Sequence, residues 1–219
     1  MTYGAEIWGW KERESLERVM MNYVRWIFGL DFCTPRYVIM RELTLTKLKV
    51  AKEVEGGIGY NIEKELIERE KDVQRQWEDA KIRNARYNKK YKEIEAKGKG
   101  PRYLEKVNLQ ELQRGDEIMA LVKLRCGNLE EANKFWKREK EDREMMCVFC
   151  GDGKDDLEYY VKFCEKVRGW FQELGENSDE IIKIFRDENL DETKGKIISR
   201  LWKENEKEKE NANKKRGVD

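Results

Sequence analysis

The sequence predicts a mainly α-helical protein, an elongated multi-helix array with a small cysteine-containing knuckle and little or no β-sheet. Three observations predict it. Charged residues make up 42% of the 219, against roughly a quarter in ordinary globular domains. There are only 2 prolines, and apolar residues recur at helical spacing along much of the chain. A net charge of +1 brings little self-repulsion, so the chain is expected to fold, around a thin core anchored by 7 tryptophans.

Leu16, Val19, Met20, Tyr23, Ile27 and Leu30 form the apolar face of a first amphipathic helix, with Gly29 near its end. Thr34 suits the N-cap and Pro35 the first position of a short helix through Leu43. Leu45, Leu48, Ala51 and Val54 continue the period up to the glycine-rich breaker at 56–59, which places a boundary there. Residues 61–97 read as a very polar helix whose sparse anchors include Leu66, Val73, Trp77, Ile82, Tyr87 and Tyr91. After a turn at 98–101, Leu109, Leu112, Ile118, Leu121 and Leu124 predict a buried helix, interrupted at Gly115 and closed by Gly127. Asn128 and Glu131 have capping-box spacing ahead of Phe135 and Trp136. A tight turn is expected at Cys147 to Gly153. Leu157, Tyr160, Val161, Cys164, Phe171 and Leu174 then resume one helical period, Ser178 caps a helix with Ile181, Ile182 and Phe185, and Ile197, Ile198, Leu201 and Trp202 mark the last helix. Beyond Lys203 the Glu/Lys/Asn composition predicts fraying.

Several chemistries are excluded early. Histidine is absent, which removes Ser/His and Cys/His nucleophile pairs and the commonest metal ligand. No run approaches the roughly 20 apolar residues of a membrane helix, and the first thirty residues mix charged with apolar side chains, so no membrane span and no secretion signal are expected. Five cysteines in such a chain are expected as reduced thiols.

Charge is segregated along the sequence. Residues 81–106 carry a net +7 and residues 151–192 a net −7. In the basic stretch Tyr87, Tyr91 and Tyr103 alternate with Lys81, Arg83, Arg86, Lys89, Lys90, Lys92, Lys97, Lys99 and Arg102, a mixture that neutralises phosphates and offers stacking faces. The plainer alternative is a solvated charged helix. Trp8, Trp10 and Trp26 could stack on bases, but tryptophans on and beside an amphipathic helix are expected in the core.

The cysteine cluster has ligand-like spacing: Cys147-x2-Cys150, Tyr159, then Cys164. Three thiolates could hold zinc with water or a carboxylate, Glu158 or Asp156 being nearest. Alternatively Cys164 is a small apolar residue on the face of Leu157, Tyr160 and Val161. Cys126 is expected to be buried. Asp155-Asp156 is a carboxylate pair, but a two-metal site needs a third acidic partner on a packed strand.

The strings Tyr3-Gly4-Ala5-Glu6-Ile7-Trp8-Gly9-Trp10 and Tyr23-Val24-Arg25-Trp26-Ile27-Phe28-Gly29-Leu30-Asp31, followed by Thr34-Pro35, resemble the segment just after the polymerase core of insect non-LTR retrotransposons, the jockey-like and rDNA-inserting kinds. Further on, Arg83-Asn84-Ala85-Arg86-Tyr87-Asn88, Leu124-Arg125-Cys126-Gly127-Asn128, the Phe135-Trp136 pair and the Cys-x2-Cys cluster resemble their C-terminal region, in the same order. The resemblance implies a non-catalytic C-terminal fragment of an endonuclease and reverse transcriptase polyprotein. Residues 1–57 would be thumb-like helices, 58–145 a charged nucleic-acid-binding region, and 146–219 a degenerate zinc knuckle with C-terminal helices. It also implies that Tyr159 stands where the family's knuckle has histidine. The catalytic Tyr/Phe-x-Asp-Asp string is missing, so no enzyme is expected. RNA or DNA is the expected partner, and the nucleus or cytoplasm the expected location. A helical protein-interaction module that pairs with a protein partner or a second copy is the alternative, and a pseudogene product without retained function is a third reading.

Overall fold

The computed structural model describes residues 14–46, 60–85, 114–134 and 145–216, together with Tyr91 and Tyr103. They are mostly helical. The backbone pairing outside helices includes an isolated antiparallel bridge between Met146 and Lys154. The chain divides into two compact units, Met1–Ala85 and Arg86–Asp219, rather than at residues 57 and 145.

The first unit holds α1 (Glu14–Phe28), α2 (Arg36–Glu42) and α3 (Tyr60–Arg83). Helix α1 forms where expected but buries a different face. Glu17, Met21 and Val24 point inward, while Leu16, Val19, Tyr23 and Ile27 are exposed and Trp26 is 76% exposed. The physical reason is a competing stripe: positions 17, 21 and 24 also follow helical spacing, and Glu17 can be buried because Arg36 pairs with it. The expectation that Trp26 is core is therefore corrected. Trp8 and Trp10 lie outside the described residues.

The same inversion recurs on α3. Val73 and Trp77 are exposed, whereas Gln74 and Glu78 are buried. Gln74 Nε2 donates to the Leu45 carbonyl at 2.7 Å and to Glu78 Oε1 at 2.7 Å, and Arg41 on α2 reaches Glu78 and Asp79. Gln74 and Glu78 can be buried because these partners complete them. Pro35, not Thr34, occupies the N-cap of α2, and the helix ends at Glu42. α3 ends at Arg83 and turns at Asn84 instead of running to residue 97.

The second unit holds α4 (Gly115–Arg125), α5 (Leu157–Lys162), α6 (Ser178–Arg186) and α7 (Glu192–Arg216), with 3-10 turns at Glu131–Asn133 and Arg168–Leu174. α4 packs on α7. Ala120, Leu121 and Leu124 on α4, and Ile197, Ile198 and Leu201 on α7, are buried. The helices approach so closely that a side chain at Gly195 would collide with the Glu117 carboxylate. Gly127, at φ 71, ends α4 as expected, with the Asn128 N–H returning to the Lys123 carbonyl at 2.7 Å. Asn128 does not lead a capped helix. Its side-chain amide donates to the Cys126 carbonyl at 3.0 Å, because the chain turns directly into the 3-10 segment. Phe135 and Trp136 lie outside the described residues.

Asn177 caps α6, one residue before the expected Ser178, accepting from the Asp179 and Glu180 N–H groups. The single period expected over 157–174 is broken after Lys162: Cys164 follows in a turn, and Phe171 is buried from a 3-10 segment. The C-terminal helix does not fray at Lys203 but continues to Arg216. Tertiary contacts extend it, since Asn205 is fully buried and donates to Tyr160, while Lys209 pairs with Glu131 at 2.9 Å. Buried Lys194 donates to the Asp187 and Asn189 carbonyls just after α6, and Arg125 donates to the Arg186 carbonyl at 2.6 Å. These cations satisfy carbonyls that a helix end leaves open.

Candidate metal centre

The knuckle is built from a turn and a short helix. Met146 and Lys154 pair across it, the Gly151 N–H returns to the Cys147 carbonyl at 2.8 Å, and the Cys147 N–H donates to the Gly153 carbonyl at 3.1 Å. Gly153 has φ 62, and a Cβ there would run into the Tyr159 ring, so only glycine satisfies both backbone and packing. Asp156 caps α5, its carboxylate accepting the Tyr159 N–H at 2.9 Å. That cap sets Tyr159 in the first turn of α5, and Cys164 follows just past its end.

This arrangement brings the three cysteines together. The sulfurs of Cys147, Cys150 and Cys164 all lie within 4.8 Å of one another. Cys147 and Cys164 are buried, and their sulfurs are 3.7 Å apart. Metal–sulfur bonds of about 2.3 Å directed to tetrahedral corners put two sulfurs about 3.8 Å apart, so the spacing suits a shared ion. The group could bind a metal ion. The Tyr159 hydroxyl lies 3.4 Å from the Cys150 sulfur.

Electrostatics separate the three thiols. Burial pushes the Cys147 thiol well up, and burial raises Cys164 as well. Burial also acts upward on Cys150, but the hydrogen bond with Tyr159 and further hydrogen bonds outweigh it and leave that thiol below its usual value. Tyr159 is raised, first by its bond to Cys150. A phenol is a poor metal ligand beside thiolates, so the cluster supplies three good ligands.

Asp155 holds the turn in place, which the sequence did not reveal. Its carboxylate is fully buried and accepts from the Val148 N–H at 3.2 Å, the Glu131 N–H at 3.1 Å and the Tyr160 hydroxyl. One side chain thus ties the cysteine turn to the 3-10 segment at Glu131–Asn133 and to α5. Next to it, Glu130 Oε1 accepts the Leu157 N–H at 2.7 Å. The doublet Asp155-Asp156 serves as one structural anchor and one helix cap. The only available signal was its position just before a helical period.

Of the basic stretch, Lys81 and Arg83 are exposed on the last turn of α3. Tyr91 is buried, which corrects its role as a stacking face, and Tyr103 is buried too. Arg86, Tyr87, Lys89, Lys90, Lys92, Lys97, Lys99 and Arg102 lie outside the described residues. Cys126 is buried at the end of α4, as expected, and Cys33 is exposed. Among the described residues, no helix is long and apolar enough to cross a membrane.

No protein-family model matches the chain, and no curated protein or solved structure matches it.

Proposed function

We propose that the chain is the non-catalytic C-terminal portion of a retroelement reverse-transcriptase polyprotein that binds template RNA or target DNA in the nucleus or cytoplasm. Its contacts are chiefly to phosphates, and zinc is the metal its knuckle takes. The observation that carries this reading is the convergence of Cys147, Cys150 and Cys164, with Tyr159 beside them, in the chain order of the knuckle to which the sequence bears resemblance. Exposed Lys81 and Arg83, opening the stretch of net +7, support the phosphate contacts.

A second reading, a helical protein-interaction module, is favoured by the exposed Val19, Tyr23, Trp26 and Phe32 in the first unit. Binding of RNA and DNA oligonucleotides across a salt series separates the two. Reversing Arg83, Arg86, Lys89 and Lys90 to Glu is expected to weaken binding and to lower the salt slope by about 0.7–0.9 for each phosphate no longer neutralised. Unchanged affinity in that variant supports the interaction module instead. Primer extension in magnesium or manganese is expected to stay at the no-protein level, and activity above it refutes the non-catalytic part.

A further inference from the structure

The cysteine cluster carries a chemistry besides metal binding, because its three sulfurs differ in how solvent reaches them. Cys147 and Cys164 are 1% and 0% exposed, whereas Cys150 is only half-buried. Each sulfur lies within 4.8 Å of the other two, and those of Cys147 and Cys164, at 3.7 Å, are already in contact. Two weak polar contacts hold the Cys150 sulfur, the Tyr159 hydroxyl at 3.4 Å and the Asp152 carbonyl at 3.5 Å. A solute arriving from water therefore meets Cys150 first, with two buried thiols directly behind it.

The fold holds these sulfurs together without any bond between them. Cys147 and Cys150 share the turn, while Cys164 is fixed past α5, its N–H donating to the Tyr159 carbonyl at 2.9 Å and its carbonyl accepting the Arg168 N–H at 2.9 Å. Thiols kept in contact react as one molecule instead of waiting for an encounter, so an oxidised sulfur in this group is captured by its neighbour. A disulfide needs its sulfurs about 2.05 Å apart, and rotation of the lightly held Cys150 side chain supplies that approach.

We propose that Cys150 is an oxidation site for hydroperoxides and that Cys147 or Cys164 resolves it as an intramolecular disulfide. The Cys150 sulfur attacks one peroxide oxygen, the O–O bond breaks, and the other oxygen leaves with the thiol proton as water or an alcohol. The sulfur is oxidised by two electrons to a sulfenic acid while the peroxide is reduced by two. A buried thiol then attacks that sulfur, the S–S bond forms, and the hydroxyl leaves with the second thiol proton as water. The disulfide consumes two of the three good metal ligands, so the oxidised knuckle no longer holds zinc. This control of occupancy rests on the zinc reading above; the disulfide itself rests on the exposure of Cys150 and the sulfur distances.

The test uses the full chain with Cys33→Ser throughout, since exposed Cys33 can join two chains. Metal-free and zinc-loaded protein are treated with hydrogen peroxide; thiols are counted with a maleimide, disulfides are mapped by peptide mass spectrometry, and released zinc is read with a chromogenic chelator. The unaltered cluster is expected to lose two thiols to one disulfide among Cys147, Cys150 and Cys164 and to release its zinc, with dimedone trapping the transient sulfenic acid at Cys150. Cys150→Ser, a change at a half-buried position, is expected to keep the Cys147 and Cys164 thiols over the time in which the unaltered cluster loses two. Circular dichroism melting identifies a folding defect in the variant, and dimedone mapping, which needs no variant, remains decisive if it fails to fold. Absence of the disulfide, trapping at Cys147 or Cys164 instead of Cys150, or equally fast oxidation of Cys150→Ser overturns the proposal. A disulfide in a chain that binds no zinc keeps the oxidation site and ends the zinc reading, whereas zinc retained under peroxide that oxidises the metal-free chain ends the control of occupancy alone.

Discussion

Replacing Asp155 by alanine should disrupt the knuckle and much of the second unit with it. The native carboxylate accepts from the Val148 N–H, the Glu131 N–H and the Tyr160 hydroxyl, and the residue is fully buried. Alanine leaves three buried donors without an acceptor, at about 1–3 kcal/mol each. Against this, the variant no longer desolvates a carboxylate, a cost visible in the raised pKa of Asp155. The net loss is about 2–5 kcal/mol, a large share of the roughly 5–15 kcal/mol that stabilises a typical domain. Asp155→Asn provides an internal control. Its carbonyl oxygen can keep the Val148 and Tyr160 bonds made by Oδ1, while its amide faces the Glu131 N–H donor to donor, so a single hydrogen bond is broken and the cost is about 1–3 kcal/mol. Urea unfolding followed by far-ultraviolet circular dichroism, with Trp170 packed on Phe149 as a fluorescence reporter, measures both variants. A loss below about 1 kcal/mol for Asp155→Ala, or a greater loss for Asn than for Ala, would refute the role assigned to this carboxylate.

The same residue fixes a pH dependence. Burial raises Asp155 in the fold despite the hydrogen bonds it accepts, so its contribution to stability is fully present below the unfolded carboxylate value and declines as pH rises through the raised folded value. Relative to Asp155→Asn, the natural chain should therefore gain stability on acidification through that window, and a parallel pH profile for the two proteins would contradict this. Tyr159→His should raise zinc affinity and melting temperature together, zinc stabilising the variant by about 2.7 kcal/mol over its zinc-free form when free zinc is a hundredfold above the dissociation constant, while Tyr159→Leu leaves zinc stoichiometry unchanged. If the natural chain holds one zinc as tightly as the His variant, another group closes the site. Gly153→Ala should destabilise the second unit, because alanine must adopt φ 62 and displace the Tyr159 ring; thermal melting unchanged from the natural chain would show that the turn rearranges freely.

That this protein is helical, and where most of its helices begin or end, was legible in the amino-acid order alone, because period, caps and terminating glycines are local properties. Gly127 closes α4 by adopting a backbone angle that few other residues tolerate, whatever surrounds it. The cysteine spacing likewise fixed that a turn and a following helix could bring three sulfurs together. Which face of each helix is buried was settled only by tertiary packing. On α1 the apolar stripe from Leu16 to Ile27 competes with one through Met21 and Val24, and on α3 Val73 and Trp77 compete with Gln74 and Glu78. Hydrophobicity favours the first stripe in each case, but Arg36 completes Glu17 while Arg41 and Gln74 complete Glu78, and the two arginines are distant in sequence from the carboxylates they meet. The length of α7 was decided in the same way, since Asn205 and Lys209 look like solvated tail until Tyr160 and Glu131 are brought beside them. Asp155 shows the limit most clearly: its three hydrogen-bond donors come from separate segments, and no local pattern encodes a carboxylate whose partners converge only when the chain has folded.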